Sequence, residues 1–180
     1  MHKLAALRNF FLYLILFVIC RVLFSMITGY YIRPECMNDP NHNYPIDVRV
    51  LETHAASDPG WVKEMGTGCY DAAGYFRTFF PLDMVFPIVY TLLMLTCVHL
   101  VQPPRKTIFL TAIFAGAIFD YLEDFSFALF LKTHMDWLAS STAIFTTLKS
   151  ILFPLNMVTA LILFVVFILR PAPPPVKLNA

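Results

Sequence analysis

The sequence predicts an all-α protein, a polytopic transmembrane four-helix bundle with one outward-facing loop. Three observations carry this expectation. Of 180 residues, 58% are hydrophobic and only 14% charged, against about 25% charged in soluble domains. The apolar residues gather into four runs, each long enough to cross a bilayer. The charges outside those runs divide by sign, basic at one end and mostly acidic at the other. A soluble chain of this length could not bury so much apolar surface. It has room for one domain, 1–170, followed by a proline-rich tail, 171–180.

The first run, 10–32, is interrupted only by Arg21. At 1.5 Å per residue it makes roughly 34 Å of helix, against a hydrocarbon core of about 30 Å. Lys3 and Arg8 precede it, as they would a signal peptide. The run is too long for such a segment, however, and no small-x-small cleavage site follows. Val18 and Ile19 before Cys20 argue against a lipoprotein signal, so an uncleaved anchor is expected. Further spans are expected at 79–101, 107–131 and 143–169. Pro103 and Pro104 force a tight turn between the second and third. Residues 132–142 form a second short connection. Short links make sequential helices antiparallel neighbours, the arrangement of a compact bundle.

Orientation follows from the loops. One end carries Lys3, Arg8, Arg105, Lys106, Arg170 and Lys177 and no acid, whereas most of the acids lie at the other. The positive-inside rule places both termini in the cytoplasm and the loop 33–76 outside. Within that loop, Trp61, Val62 and Met65 have the spacing of a short amphipathic helix lying at the interface. Cys36 and Cys69 share the oxidising side, and the expected reading is a disulfide, with two free thiols as the alternative. The tail beyond Arg170 reads as extended polyproline, either a helix stop followed by disorder or a segment for a partner's groove.

The distinctive chemistry is charge inside the membrane. Asp120, Glu123 and Asp124 stand at i, i+3 and i+4 on one side of the third span. Counted along their helices, Asp120 lies about 20 Å up a core of about 30 Å, Arg21 about 16 Å up, and Lys149 about 9 Å below the opposite surface. Asp83 joins them near the outer end of span two, with Arg77 just beyond it. Buried charges of this kind must face the bundle interior and pair. Tyr90 and Pro87 share a stripe with Asp83, and Asn156 shares one with Lys149. Ala112 and Gly116 below Asp120 allow close helix approach. Three acids on one turn cannot all ionise cheaply, so one is expected to be able to donate a proton. Two readings stand side by side: a polar cavity that binds or transforms an amphiphile, and an ion-pair network that only fixes helix register. In the catalytic version Glu123 or Asp120 is the acid/base, and Lys149 or Arg21 the electrostatic stabiliser. No metal and no cofactor is expected, since no histidine joins the acids and no metal or nucleophile motif occurs. No basic-aromatic tract suggests nucleic acid.

Between residues 75 and 153 the chain resembles an uncharacterised family of small bacterial four-span membrane proteins. The matching pieces, in order, are Tyr75, Phe76 and Arg77; Asp83, Pro87 and Tyr90; Phe119, Asp120, Leu122 and Glu123; and Phe145, Thr146, Leu148 and Lys149. Asp124 stands where that family usually has Asn. The resemblance implies that Asp83, Tyr90, Asp120, Glu123 and Lys149 form a shared polar core, and it implies no function. In architecture alone the chain is similar to the sterol-isomerase/sigma-2-receptor (EXPERA) superfamily, whose members hold amphiphilic or cationic ligands against membrane carboxylates.

The expected function is therefore a lipid- or amphiphile-binding membrane protein, or an accessory subunit of a membrane complex. Its partners are membrane lipids and, in the second case, other membrane subunits. The alternative is an isomerase-like enzyme on a lipid-like substrate. Transport comes third, because four spans lack the inverted repeats and broken helices of transporters.

Overall fold

The computed structural model describes residues 2–27 and 58–169, and these are helical, with no strand among them. The long helices are α1 (His2–Ile27), α4 (Phe80–Val101), α5 (Lys106–Thr133) and α6 (Asp136–Leu169). Two short helices, α2 (Pro59–Glu64) and α3 (Ala72–Gly74), lie before α4. Wide turns with i→i+5 bonding, Met65–Cys69 and Tyr75–Phe79, join them to their neighbours.

Local chemistry explains the boundaries. Asp71 caps α3, its carboxylate accepting from the amides of Ala73 at 3.2 Å and Gly74 at 3.0 Å. α4 ends at Gln102, whose left-handed backbone (φ 47°) lets its amide close on the Val98 carbonyl at 2.9 Å, just before Pro103. α5 stops the same way at His134 (φ 54°), its amide donating to the Phe130 carbonyl at 2.8 Å. Asp136 then opens α6 with an acid in its first turn, where the helix dipole favours one. The expected connection 132–142 thus shrinks to His134 and Met135, and the fourth long helix starts seven residues earlier than its hydropathy suggested. Ser140, Ser141 and Thr142 read as loop in the sequence. In the helix their hydroxyls bond back to the carbonyls of Asp136, Trp137 and Leu138.

Three helical stretches are long and apolar enough to cross a membrane: Leu7–Ile27, Ala72–Val101 and Asp136–Leu169. α5 is equally long but carries three acids. It presents Ile118, Leu122, Phe125 and Leu129 outward and buries Asp120 and Asp124 inward. α5 packs most extensively on α6, and α1 on α4, while α4 also contacts both α5 and α6. α1 meets α6 through Phe10, stacked on Phe164 at 4.0 Å between ring centres, but the two helices otherwise touch little. Asn156 donates from Nδ2 to the Ala112 carbonyl at 2.9 Å. Gly116 leaves it room, since a Cβ there would stand 3.1 Å from the same Nδ2. The expected close approach of α5 and α6 is therefore realised by a side-chain-to-backbone clip.

The short helix expected in the segment 33–76 is present as α2. α2 packs against α6, and Val62 is 1% exposed, in contact with a cluster of Phe130, Leu138, Ala139 and Ala143. Of the apolar stripe found in the sequence, Val62 is covered by protein. Cys20 and Cys97 are buried free thiols. Cys69 is buried beside Tyr70 and Tyr75. Its expected partner Cys36, together with 28–57 and the tail 170–180, lies outside the described residues.

Candidate functional site

α4, α5 and α6 bring the charges found within the apolar runs to one cavity of about 210 Å³. Its polar lining is Asp83 from α4, Asp120, Glu123 and Asp124 from α5, and Thr142, Thr146 and Lys149 from α6. Arg21 and Phe24 of α1 close one side. The apolar wall is aromatic, formed by Tyr75, Phe79, Phe86, Phe127 and Phe153, with Val62 and Tyr70 contributed by the segment before α4.

The α5 acids fall into two electrostatic classes. Lys149 bridges the first class, its ammonium 2.5 Å from Asp120 Oδ1 and 2.6 Å from Glu123 Oε2. Asp120 is wholly buried, and its second oxygen accepts from the Tyr90 hydroxyl at 2.9 Å. Glu123 accepts from Thr146 at 2.7 Å through its other oxygen. Every carboxylate oxygen of this pair therefore has a donor or a cation, which is the condition for burying charge. Lys149 and Thr146 stand one turn apart on α6, so one helix face delivers both.

The second class is a pair of acids facing each other. Asp83 and Asp124 are both buried, 6% and 3% exposed. Their carboxyls lie within hydrogen-bonding reach of one another. Asp124 Oδ2 is buried and accepts no hydrogen bond. Two carboxyls can bond to each other only by sharing a proton, because ionised carboxylates are acceptors alone. Neighbouring bonds fix this geometry. The Tyr121 hydroxyl donates to the Met84 carbonyl at 3.0 Å, tying α5 to α4 beside Asp83. Ser126 and Thr142 share a 2.9 Å bond that ties α5 to α6 on the next turn.

Most residues expected in a polar core therefore converge: Arg21, Asp83, Asp120, Glu123, Asp124 and Lys149 line the cavity, and Tyr90 supports it from behind. Asn156 does not join them, since its amide serves the α5–α6 clip. Arg77 is exposed and is not part of the lining. Ligand atoms of Asp120, Glu123 and Asp124 lie within 4.8 Å of one another, a spacing that suits a cation. The Lys149 ammonium already occupies that role for two of the three. The sequence reading missed Thr142 and Thr146 and the aromatic wall. Thr146 could have been found, since it lies three residues before Lys149 and so shares its helix face. The ring positions could not, because 18 phenylalanines in one chain give no signal of which face inward.

Compared with protein-family models, with curated proteins and with solved structures, the chain has no match.

Proposed function

We propose that this chain is a four-span integral membrane protein that binds an amphiphile in the cavity between α4, α5 and α6. A cationic or proton-donating head group sits against the carboxyls, and the hydrocarbon part lies along the phenylalanine wall. The observation that carries this reading is a single cavity where a surplus of acids meets an aromatic surface. Four carboxyls face one ammonium, with Arg21 at the margin. A head group with N–H or O–H donors relieves that surplus, while an anionic one adds to it. The slight contact between α1 and α6 offers an approach from the lipid phase beside Phe24.

In this reading α5 is the fourth span, its acids turned away from lipid. Both termini are cytoplasmic by the charge asymmetry of the ends. The segment 33–76 lies outside, closed by a Cys36–Cys69 disulfide, and the membrane is a bacterial inner membrane.

The test is retention by native mass spectrometry of a long-chain amine, the matching alcohol and the matching fatty acid, each added to purified protein in detergent. The amine should be retained best and the acid least. An Asp83→Asn/Asp124→Asn double variant should lose the preference while keeping its thermal stability near the parent's. Equal retention of all three, or an unchanged preference in the double variant, overturns the proposal.

The Asp83–Asp124 pair favours a second reading, an isomerase-like enzyme on a lipid-like substrate. A carboxyl that keeps its proton beside one that has lost it places an acid and a base side by side. The base takes a proton from an allylic carbon while the acid delivers one to the far carbon of the double bond, so the bond migrates with no net loss. Deuterium uptake from heavy water into a bound unsaturated lipid, absent in Asp83→Asn, would favour this reading over simple binding.

A further inference from the structure

A second concavity lies at the opposite end of the molecule, between the start of α1, the end of α4 and the start of α5. Its volume is about 350 Å³. The floor is apolar, made by Leu92, Leu95, Val98 and Leu110. The rim is polar, made by Asn9, Tyr13, Thr96, His99 and Lys106. The Thr96 hydroxyl is committed to the Leu92 carbonyl at 2.8 Å. The side chains of Asn9, Tyr13, His99 and Lys106 have no hydrogen-bond or ion-pair partner among the described residues. Polar groups from three helices thus converge on one groove without satisfying each other.

The sign of this end is uniform. No Asp or Glu occurs before Glu35 or between Asp83 and Asp120, so no carboxylate lies along the walls of the groove. Arg8 and Arg105 flank it in the chain. The first turn of α5, directly beside Lys106, has no side-chain cap on its free amides, which adds the positive end of a helix dipole. An ammonium head group would find no carboxylate here, whereas a phosphate would find an N–H or O–H donor on each of Asn9, Tyr13, His99 and Lys106. The apolar floor beneath the rim suits the glycerol backbone and first methylenes of a lipid.

We propose that this groove binds the phosphate head group of an acidic phospholipid, with Lys106, His99, Asn9 and Tyr13 as its donors. The inference rests on the chain spanning a membrane and is independent of what the carboxylate cavity holds. It accounts for a feature that the positive-inside rule does not require. That rule needs basic residues anywhere in the short loops, not unpartnered donors from three helices around one concavity.

The experiment uses the full chain in detergent, titrated with phosphatidylglycerol, phosphatidylcholine or inorganic phosphate and read by native mass spectrometry and thermal stability. One phosphatidylglycerol per chain should be retained in preference to phosphatidylcholine. Substituting His99→Gln and Lys106→Gln together should reduce that preference by about fivefold or more, the effect expected for one basic residue at a membrane surface. Leu110→Trp, which fills the floor and alters no charge, should weaken both lipids. Lys63→Gln at the far end should change nothing. The Asp83→Asn/Asp124→Asn variant should keep its phosphatidylglycerol preference, so failure of the cavity reading and failure of this one are distinguishable. Equal retention of the two lipids by the parent, an undiminished preference in the His99→Gln/Lys106→Gln variant, or full protection by inorganic phosphate alone would overturn the proposal.

Discussion

The Tyr90 hydroxyl donates to Asp120 Oδ2 at 2.9 Å, while the Lys149 ammonium holds Asp120 Oδ1 at 2.5 Å. One carboxylate thereby ties α4, α5 and α6 together at a point fully shielded from outside. A hydrogen bond to a charged acceptor is worth about 1.5–3 kcal/mol, and a buried acceptor left unpaired loses most of it. Tyr90→Phe should therefore lower unfolding stability in detergent by about 2 kcal/mol with little change of shape. A thermal-denaturation shift near zero would show that the bond contributes nothing.

Lys149 bridges two acids at once, so its removal should be the most damaging single change in the layer. Breaking one buried pair costs about 3–5 kcal/mol, and Lys149→Met strands two carboxylates. Adding Glu123→Gln should restore only part of the loss, because Asp120 remains uncompensated. Adding Asp120→Asn as well should restore most of it. Melting temperatures of the single, double and triple variants check this order. Full rescue by the double would mean that the Asp120–Lys149 contact is dispensable.

The two aspartates on α5 should respond oppositely to amide replacement. Asp120→Asn removes the charge that Lys149 needs and should destabilise. Asp124→Asn supplies an N–H where the facing Asp83 carboxyl otherwise needs a shared proton, so stability should hold or rise. Equal losses in the two variants would contradict the division of the acids into a salt-bridged pair and a proton-sharing pair.

Gly66 sits against the roof of the fold, where an added Cβ would come within 2.5 Å of Phe130 Cε1. Phe130 is 1% exposed and has little room to yield. Gly66→Ala should cost about 1–3 kcal/mol, the range for overpacking a closed core. Gly116→Ala meets the softer end of Asn156 at 3.1 Å and should cost less. The reverse order in thermal stability would show that the roof adapts and the α5–α6 crossing does not.

Topology is checked by labelling. A cysteine placed at Ala180 should resist an impermeant maleimide applied outside intact cells, and one at Asn43 should react. Non-reducing peptide mapping should recover Cys36 linked to Cys69. Labelling in the reverse sense, or quantitative alkylation of both thiols without reductant, would refute the respective expectation.

Much of this arrangement could be read along the chain because hydropathy and helical period are local properties. The four apolar runs, the hairpin at Pro103 and Pro104 and the shared face of Asp120, Glu123 and Asp124 each follow from a few neighbouring residues. The helix boundary at Asp136 is not legible in sequence because hydroxyl residues signal a loop, whereas the helix satisfies them with its own carbonyls. Periodicity shows that the face of Val62 is apolar without showing that Phe130, Leu138, Ala139 and Ala143 cover it.

What the sequence determined by itself is which residues are costly in an apolar medium and must therefore meet: Asp83, Asp120, Glu123, Asp124, Arg21 and Lys149. Only the tertiary structure decided who meets whom. It gave Lys149 to Asp120 and Glu123, left Asp83 facing Asp124, and withdrew Asn156 to the α5–α6 crossing. The reason is physical. A burial penalty belongs to each side chain alone, whereas pairing depends on the rotation and stagger of helices. Those are set by packing details such as the Gly116 gap and the Tyr90 hydroxyl, which no count along one helix contains.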